Sequence, residues 1–408
     1  MQAIHCVDRL YVISDLHLGG ATEFQIFGST NELAWLIRHL ADTDPDDEMA
    51  LVINNDFIDF LAEEPAAYFD TYGSADKLDR IALHEPTFKA IFDAFLYFLG
   101  KERRRLIVNL GNHDLELALP WMRARLAQIL TGGNDADPAA HARLHLVFDG
   151  SGVLCSAGGK SVLCLHGNEV NRWNPADFER IRQIGCDAQL GRTFDPWIPN
   201  AGSRMVIDVM NRVKRDYPFI DLLKPEGEAV MPTLAACAPQ VVTDFDHARK
   251  LASVGMAHAW AGVRKPEGML GIELETEPTT ASSSSATLID SAAARAAIQT
   301  RTRAMLLTAD AQSNAGVAPL DLVRDASGNQ LDTFGAIAKW YRNEPTSEVL
   351  REALEKLDHD RSFDIHDRDD TAVQLYKEVS PAVDVIVAGH THLGAMQREN
   401  GTGCYLNE

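Results

Sequence analysis

Five short segments of the sequence carry Asp, Asn and His residues, the side chains that bind divalent metal ions through oxygen and nitrogen atoms. In chain order they are Asp15-Leu16-His17, Asn55-Asp56-Phe57-Ile58-Asp59, Asn112-His113-Asp114, His166 and Gly389-His390-Thr391-His392. The segments contain no cysteine. A mixture of carboxylate, amide and imidazole favours Mn²⁺, Fe or Zn²⁺ over an all-oxygen Mg²⁺ or Ca²⁺ site, so the segments predict a metal centre.

A short apolar run precedes each segment and predicts the strand that positions it. The runs are Leu10–Ser14, Ala50–Asn54, Leu106–Leu110, the hairpin Val153–Cys155 with Ser161–Leu165, and Val383–Ala388. The predicted helices are one that opens with the capping box Ser29-Thr30-Asn31-Glu32 and runs to about Leu40, one from Pro86 to Leu99, and one from Pro120 to about Leu130. This alternation is typical of an α/β sheet, in which functional side chains collect at the carboxyl ends of the strands.

The alternation of strands and helices stops after His166. Residues 171–380 are rich in Ala and mostly helical in pattern, and a Pro/Thr/Ser stretch at residues 275–287 predicts a mobile loop. We interpret residues 1–170 and 381–408 as the core, and residues 171–380 as an insertion that forms a lid or determines substrate specificity. The acidic run Asp42–Glu48 is interpreted as a solvated loop.

In this order, each after a predicted strand, the five segments resemble the calcineurin-like metallophosphoesterases, whose pattern is D-x-H, G-D-x-x-D, G-N-H-D/E, a lone His and G-H-x-H. The resemblance covers residues 10–168 and 383–407. Within the family, the sequence is similar in style to the bacterial UDP-2,3-diacylglucosamine pyrophosphatases. It implies an αββα sandwich, in which two mixed β-sheets are flanked by helices, with a large helical insertion.

The resemblance also implies two divalent metal ions, with Mn²⁺ preferred and Fe or Zn²⁺ as alternatives. It places Asp15, His17, Asp56 and His392 around one ion, and Asp56, Asn112, His166 and His390 around the other. Two cations about 3.5–4 Å apart repel each other, so a shared carboxylate must screen them. Asp56 is that bridging ligand in the implied arrangement.

The implied activity is hydrolysis of a phosphate ester (a monoester, a diester or a pyrophosphate) by a hydroxide that bridges the metals. The family pattern places His113 as the general acid for the leaving oxygen. Asp114, its neighbour in sequence, is expected to orient the imidazole and to support its protonated form. Asp59 is expected outside the ligand set, as a partner of a ligand.

The composition limits the partners of the chain. The formal net charge is -21, in a sequence of 408 residues with 46% hydrophobic and 24% charged residues. Such an acidic surface disfavours long nucleic acid and charge-driven binding to acidic lipid. A phosphorylated small-molecule or amphipathic substrate fits this charge better, while an oligomer or a protein partner stays open.

Three further observations bear on the compartment. The first ten residues do not have the pattern of a signal peptide, and no apolar stretch has the length of a bilayer span. The six cysteines show no C-x-x-C pair, which is typical of reduced thiols. These observations predict a soluble, cytoplasmic protein without a transmembrane segment.

Two departures from the family pattern leave other functions open. Asn55 stands where the family has Gly before the bridging aspartate; if this position needs a positive φ, Asn is the least costly substitute. The sequence ends at Tyr405-Leu406-Asn407-Glu408, where the family continues, so either it is a piece of a longer chain or another element completes the sheet. A nuclease or cyclic-nucleotide phosphodiesterase is the alternative enzyme, and a weakly active or non-catalytic interaction module is the alternative from another class.

Overall fold

The computed structural model describes residues 5–21, 25–133, 138–170, 174–207, 383–390, 395–399 and 403–407, together with Asn211 and Leu375. All of them belong to one of the two units into which the chain divides, residues 1–218 with 361–408. The second unit, residues 219–360, lies outside the described residues, as does most of the predicted insertion and its predicted loop at residues 275–287. No helix in the described ranges has the length and apolar character needed to cross a bilayer.

The first sheet has four strands among the described residues, and all of them run parallel. In sheet order they are β2 (Arg9–Ser14), β3 (Met49–Asn54), β4 (Arg104–Asn109) and β5 (Leu144–Val147). Ser14, Asn54 and Asn109 are the last residues of neighbouring strands and stand in register. The segments that follow these strands therefore leave the sheet side by side.

The second sheet has six described strands and is mixed. Its order is β1 (His5–Val7), β6 (Val153–Ala157), β7 (Lys160–Cys164), β8 (Val385–Ala388), β10 (Gly403–Asn407) and β9 (Ala395–Glu399). The predicted hairpin is present as β6 and β7, which pair antiparallel. β8 pairs parallel with β7, so residues far apart in sequence leave the sheet next to each other.

The two sheets stack face to face, with helices on the outer face of the first sheet. On β3, Ala50 and Val52 pack in the apolar layer between the sheets, whereas Leu51 and Ile53 belong to the core under the helices. Because alternate residues of a strand point to opposite faces, a strand buried on both faces must be apolar throughout. The prediction of two sheets flanked by helices is confirmed, with the difference that the first sheet is wholly parallel.

Helices over the first sheet match the predicted positions closely. The described helices are α1 (Thr30–Asp42), α2 (Ser74–Asp79), α3 (Pro86–Leu99), α4 (Pro120–Thr131), α5 (Pro138–Arg143), α6 (Phe178–Gln189) and α7 (Ala201–Met205). A π-helical turn, Arg80–His84, and a 3₁₀ turn, Leu115–Ala118, complete the set. The predicted capping box at α1 is wrong, because the side chain of its N-cap residue, Ser29, makes no capping hydrogen bond.

The acidic loop after α1 closes over a buried arginine. Arg104, on β4, is only 1% exposed. Its guanidinium donates hydrogen bonds to the backbone carbonyls of Thr43, of Asp44 at 3.1 Å and of Asp47 at 2.8 Å, and its Nε donates to Ala41 at 3.2 Å. The interpretation as a solvated loop holds for the outward-facing carboxylates only, since the backbone of the loop binds a cation.

Candidate metal centre

The carboxyl ends of five strands from both sheets meet at one edge of the sandwich. Asp15 follows β2, Asn55 and Asp56 follow β3, and His166 and His390 each come two residues after β7 and β8. Asn112 lies three residues beyond the end of β4. These residues therefore lie at the strand ends, as the sequence predicts. They come together from segments that are far apart in the sequence.

One group of ligand atoms is formed by His17, Asp56 and His113, whose candidate atoms lie within 4.8 Å of one another. His17 Nε2 is 3.7 Å from Asp56 Oδ2, and the rings of His17 and His113 meet edge to face at 4.6 Å. His17 and Asp56 are the predicted ligands of one ion, whereas His113 was not predicted to be in ligand range. The structure adds His113 to this cluster.

A second group of ligand atoms is formed by Asp56, His166 and His390, again within 4.8 Å of one another. His166 Nε2 lies 3.1 Å from Asp56 Oδ2 and 2.8 Å from Asn112 Oδ1. The rings of His166 and His390 meet at 4.8 Å. Asp56 belongs to both groups, so its carboxylate has the position required of a bridging ligand.

The spacing of these atoms fits a shared cation. Two ligand atoms that each bind one ion at about 2.0–2.2 Å stand about 3.0–3.5 Å apart, depending on the coordination geometry. The 3.1 Å between His166 Nε2 and Asp56 Oδ2 falls in this range, and the 2.8 Å to Asn112 Oδ1 is close to it. Carboxylate, amide and imidazole donors without thiolate also suit a divalent transition metal.

Electrostatics at the centre favour a positive ion. Asp56 is buried, and although burial alone would raise its pKa, the adjacent rings of His166, His113 and His17 hold that pKa well below its usual value. For His166, burial lowers the pKa, but the negative charge of Asp56 outweighs it and raises the pKa to about 9. A site that stabilises a proton on a buried imidazole this strongly also stabilises a metal cation, which binds the neutral ring.

Asp15 contacts the last of the five segments. The backbone N–H of His390 donates to Asp15 Oδ1 at 3.0 Å and to Oδ2 at 3.2 Å, and the hydroxyl of Ser14 also donates to Oδ2. Asp15 thus joins the end of β2 to the segment after β8, and its role as a metal ligand stays a prediction. His392, the remaining predicted ligand, lies outside the described residues.

The backbone at the centre is strained where the predicted site residues lie. Positive φ angles occur at Asp15 (52°), His17 (45°), Asn55 (83°), Asp56 (41°) and His390 (75°). Each such non-glycine residue costs about 1–3 kcal/mol and persists only where the surroundings enforce it. Gly111 leaves room for this arrangement, because a Cβ there would lie 2.0 Å from Asp56 Oδ1.

Asn55 is accommodated at the position where the family has glycine. Its φ of 83° is left-handed, as expected for a position that the family fills with Gly. Its buried side chain donates to the carbonyl of Leu110 and accepts from Asn109 Nδ2 at 3.1 Å. The end of β4 therefore accommodates this side chain through hydrogen bonds.

The carboxylate of Asp114 has hydrogen-bond partners other than His113 in the structure, and its predicted support of that ring stays a prediction. Asp114 accepts from the backbone N–H of Gly111 at 2.7 Å and of Phe57 at 2.9 Å, so its carboxylate ties two strand-end segments together. His113 Nδ1 lies instead 3.1 Å from Asp59 Oδ1. Burial raises the pKa of Asp114 to about 7, and the negative charge of Asp56 adds to the rise.

Asp59 contacts both imidazoles of the first group. Its Oδ1 lies 3.1 Å from His113 Nδ1 and its Oδ2 lies 3.6 Å from His17 Nδ1. Burial would raise the pKa of Asp59, but His113 and His17 together lower it well below its usual value. Asp59 is thus placed beside His17, a predicted ligand, and its role as the partner of a ligand stays a prediction.

Two residues near His166 were missed by the sequence reasoning. Glu169 accepts from the backbone N–H of Gly167 at 2.6 Å and of His166 at 3.3 Å. Asn174 Nδ2 lies 3.3 Å from His390 Nε2. Glu169 could have been found as a carboxylate three residues after the lone His, whereas Asn174 belongs to no motif.

The calcineurin-like phosphoesterase family model matches residues 8–224, which is more than half of the chain. The chain therefore belongs to this family of phosphate-ester hydrolases, which use a centre of two divalent metal ions. Comparison with curated proteins returned no match. The matched range includes the first four segments and ends before His390, so the placement of His390 beside His166 is supplied by the structure.

Proposed function

We propose that the chain hydrolyses a phosphate ester at this centre, with two divalent cations bound on either side of Asp56. The carrying observation is that two groups of ligand atoms share this one carboxylate. In the proposed arrangement Asp15, His17, Asp56 and His392 hold one ion. Asp56, Asn112, His166 and His390 hold the other.

When bound, the two cations supply Lewis acidity, which lowers the pKa of water and stabilises the charge that develops on phosphoryl oxygens. The protein contributes a rigid cradle for them. The left-handed backbone at the site residues sets where their side chains leave the chain, and Gly111 leaves room for the carboxylate of Asp56.

His113 is the proposed proton donor to the leaving oxygen. Its side chain is 16% exposed, whereas that of His17 is 3% exposed, so of the two rings in the first group it is the one that a substrate can reach. Asp59 Oδ1 lies 3.1 Å from its Nδ1, and we assign the proton transfer to Nε2. The negative charge of Asp59 favours the protonated ring.

A phosphorylated small molecule or amphipathic compound is the proposed substrate, because the net charge of -21 opposes binding of a long polyanion. Monoesters, diesters and pyrophosphates all carry the phosphoryl oxygens that the cations stabilise. The likeness to the UDP-2,3-diacylglucosamine pyrophosphatases remains a prediction about the substrate, and Mn²⁺, with Fe or Zn²⁺ as alternatives, remains a prediction about the metal.

The test combines metal analysis with model substrates. Purified protein is loaded with Mn²⁺, Fe²⁺ or Zn²⁺ in parallel, its bound metal is counted, and hydrolysis of p-nitrophenyl phosphate, bis-p-nitrophenyl phosphate and a nucleotide pyrophosphate is measured. We expect the wild type to bind two ions per chain and to hydrolyse at least one ester. Asp56→Ala should lose both the two-ion binding and the hydrolysis. Turnover of the bis-ester alone supports the diesterase alternative.

Two results would overturn the proposal. Two bound ions without turnover of any ester would support the non-catalytic module. Full metal content and full activity in Asp56→Ala would remove the shared carboxylate from the mechanism. Asn31→Ala, an exposed position on α1, serves as the control for substitution itself.

A further inference from the structure

Asn174 contacts the metal centre although it lies outside all five segments. Its side-chain Nδ2 is 3.3 Å from Nε2 of His390. The ring of His390 also packs edge to face on that of His166, at 4.8 Å. Asn174 is thus placed on the ring of a candidate ligand, on the Nε2 side.

The position of Asn174 is fixed by contacts on both sides. Its backbone carbonyl accepts from Nδ2 of Asn168, a residue that is only 1% exposed, at 3.0 Å. Its side-chain oxygen faces Gly202 of α7, where an added Cβ would lie 1.7 Å from that oxygen. Any side chain at position 202 would therefore displace the amide of Asn174.

The helix that carries Gly202 is anchored to the same segment. Asn200 caps α7 by accepting from the N–H of Ser203 at 2.7 Å. Its Nδ2 donates to the carbonyl of Pro175 at 3.2 Å, one residue after Asn174. The backbone that carries the Asn174 side chain is thus held by Asn168 on one side and by Asn200 of the α7 cap on the other.

The chemistry of imidazole gives this contact a function. A neutral imidazole carries one proton, so a ring nitrogen that binds a metal requires the proton on the other nitrogen. That N–H needs an acceptor, and the oxygen of an amide is one. The oxygen and nitrogen of an asparagine amide exchange places by rotation about the terminal bond, so the same contact can present Oδ1 to His390 Nε2.

We propose that Asn174 is a positioning residue for His390: its amide oxygen accepts the Nε2–H and thereby directs Nδ1 of the ring toward the cation that His166 and Asp56 also bind. This inference rests on the proposed function, since it assigns a role toward the same metal centre. It makes the segment after β7, rather than β8 alone, responsible for the orientation of His390.

Metal binding tests the inference without relying on catalysis. Asn174→Leu keeps the approximate volume but removes the acceptor, whereas Asn174→Asp keeps an acceptor oxygen at the same position. Asn31→Leu is the control on the exposed face of α1. Each full-length variant and the wild type are stripped with chelator, titrated with Mn²⁺ by calorimetry, and counted for bound metal, with circular dichroism to verify folding.

We expect Asn174→Leu to lower the affinity for one of the two ions by about 10–100-fold, which is the usual effect of removing the partner of a ligating histidine. Asn174→Asp should retain both ions, because a carboxylate oxygen also accepts the Nε2–H, and Asn31→Leu should leave both affinities unchanged. The inference is overturned if a folded Asn174→Leu binds both ions as the wild type does, or if Asn174→Asp loses as much affinity as Asn174→Leu. A wild type that binds no divalent cation refutes the proposed function itself, and the inference with it.

Discussion

Replacing Asp59 and Asp114 separately by Asn distinguishes the partner of His113 seen in the structure from the partner expected from the sequence. Asp59 Oδ1 lies 3.1 Å from His113 Nδ1, whereas Asp114 accepts two backbone N–H groups. A hydrogen bond to a charged group contributes about 1.5–3 kcal/mol and a neutral one about 0.5–1.5 kcal/mol. Asp59→Asn should therefore reduce the stabilisation of the protonated His113 ring by about 1–1.5 kcal/mol. This loss corresponds to a rate that is about 5–13-fold lower.

The assay compares two aryl phosphates that differ in their need for a proton. Phenyl phosphate has the poorer leaving group and depends more on a general acid than p-nitrophenyl phosphate does. With Mn²⁺ loaded, Asp59→Asn should lower kcat/KM for phenyl phosphate by the larger factor. Asp114→Asn should lower the unfolding temperature, because its amide cannot accept from both Gly111 and Phe57, while affecting both substrates to the same degree.

The opposite pattern would refute this reasoning. If Asp114→Asn shows the leaving-group dependence and Asp59→Asn affects both substrates to the same degree, then the sequence neighbour of His113 supports it in solution. Bound metal must be counted in both variants, because Asp59 Oδ2 also lies 3.6 Å from Nδ1 of His17. Loss of an ion from Asp59→Asn would show that its effect passes through His17.

Three further changes test the scaffold. Gly111→Ala places a Cβ 2.0 Å from Asp56 Oδ1, so the shared carboxylate must move; we expect loss of bound metal, counted by elemental analysis. Arg104→Met removes the cation that three loop carbonyls and the carbonyl of Ala41 in α1 bind, and chemical denaturation should show a loss of about 3–5 kcal/mol with metal binding retained. Burial raises the pKa of Glu116 from 4.5 to about 8, so the folded state binds more protons than the unfolded state between these values. Stability should fall as pH rises from 4.5 to 8, and Glu116→Gln should flatten that part of the profile.

Controls and contrary outcomes differ among these three. Gly28→Ala, where an added Cβ meets nothing within 4 Å, should keep full metal content, and equal losses in both glycine variants would count against the steric argument. Arg105→Met removes a half-exposed ion pair with Glu48 and should cost less than 1 kcal/mol, within the range of about 0–1 kcal/mol for surface pairs. An unchanged pH profile in Glu116→Gln would assign the pH dependence to other groups.

Strands and candidate ligands could be predicted because both leave local patterns in the sequence. A strand buried on two faces is a continuous apolar run, as in β3, and its carboxyl end fixes where Asp56 must lie. The left-handed backbone at Asn55 could also be predicted from the residue type, because few residues other than Gly tolerate a positive φ.

The remaining contacts depend on geometry that no local pattern encodes. Asp59 and Asp114 both follow strands, and the sequence does not encode that Asp59 meets His113 while Asp114 accepts from Gly111 and Phe57. Arg104 is charged, and no local pattern in the sequence predicts that it is buried. Its burial depends on carbonyl groups of a loop that lies more than fifty residues earlier in the chain. Asn174 reaches His390 through the pairing of β7 with β8, a tertiary feature.

The pairing of β7 with β8 has a consequence for how the centre is made in a cell. His166 and His390 face each other across these strands but are separated by the whole intervening chain. At about 5–20 residues per second, a ribosome needs on the order of 10–45 s to extend the chain from one to the other. During that interval Asp56 and His166 are already synthesised while their third partner is not. The second group of ligand atoms is therefore complete only after β8 has been synthesised and has paired with β7.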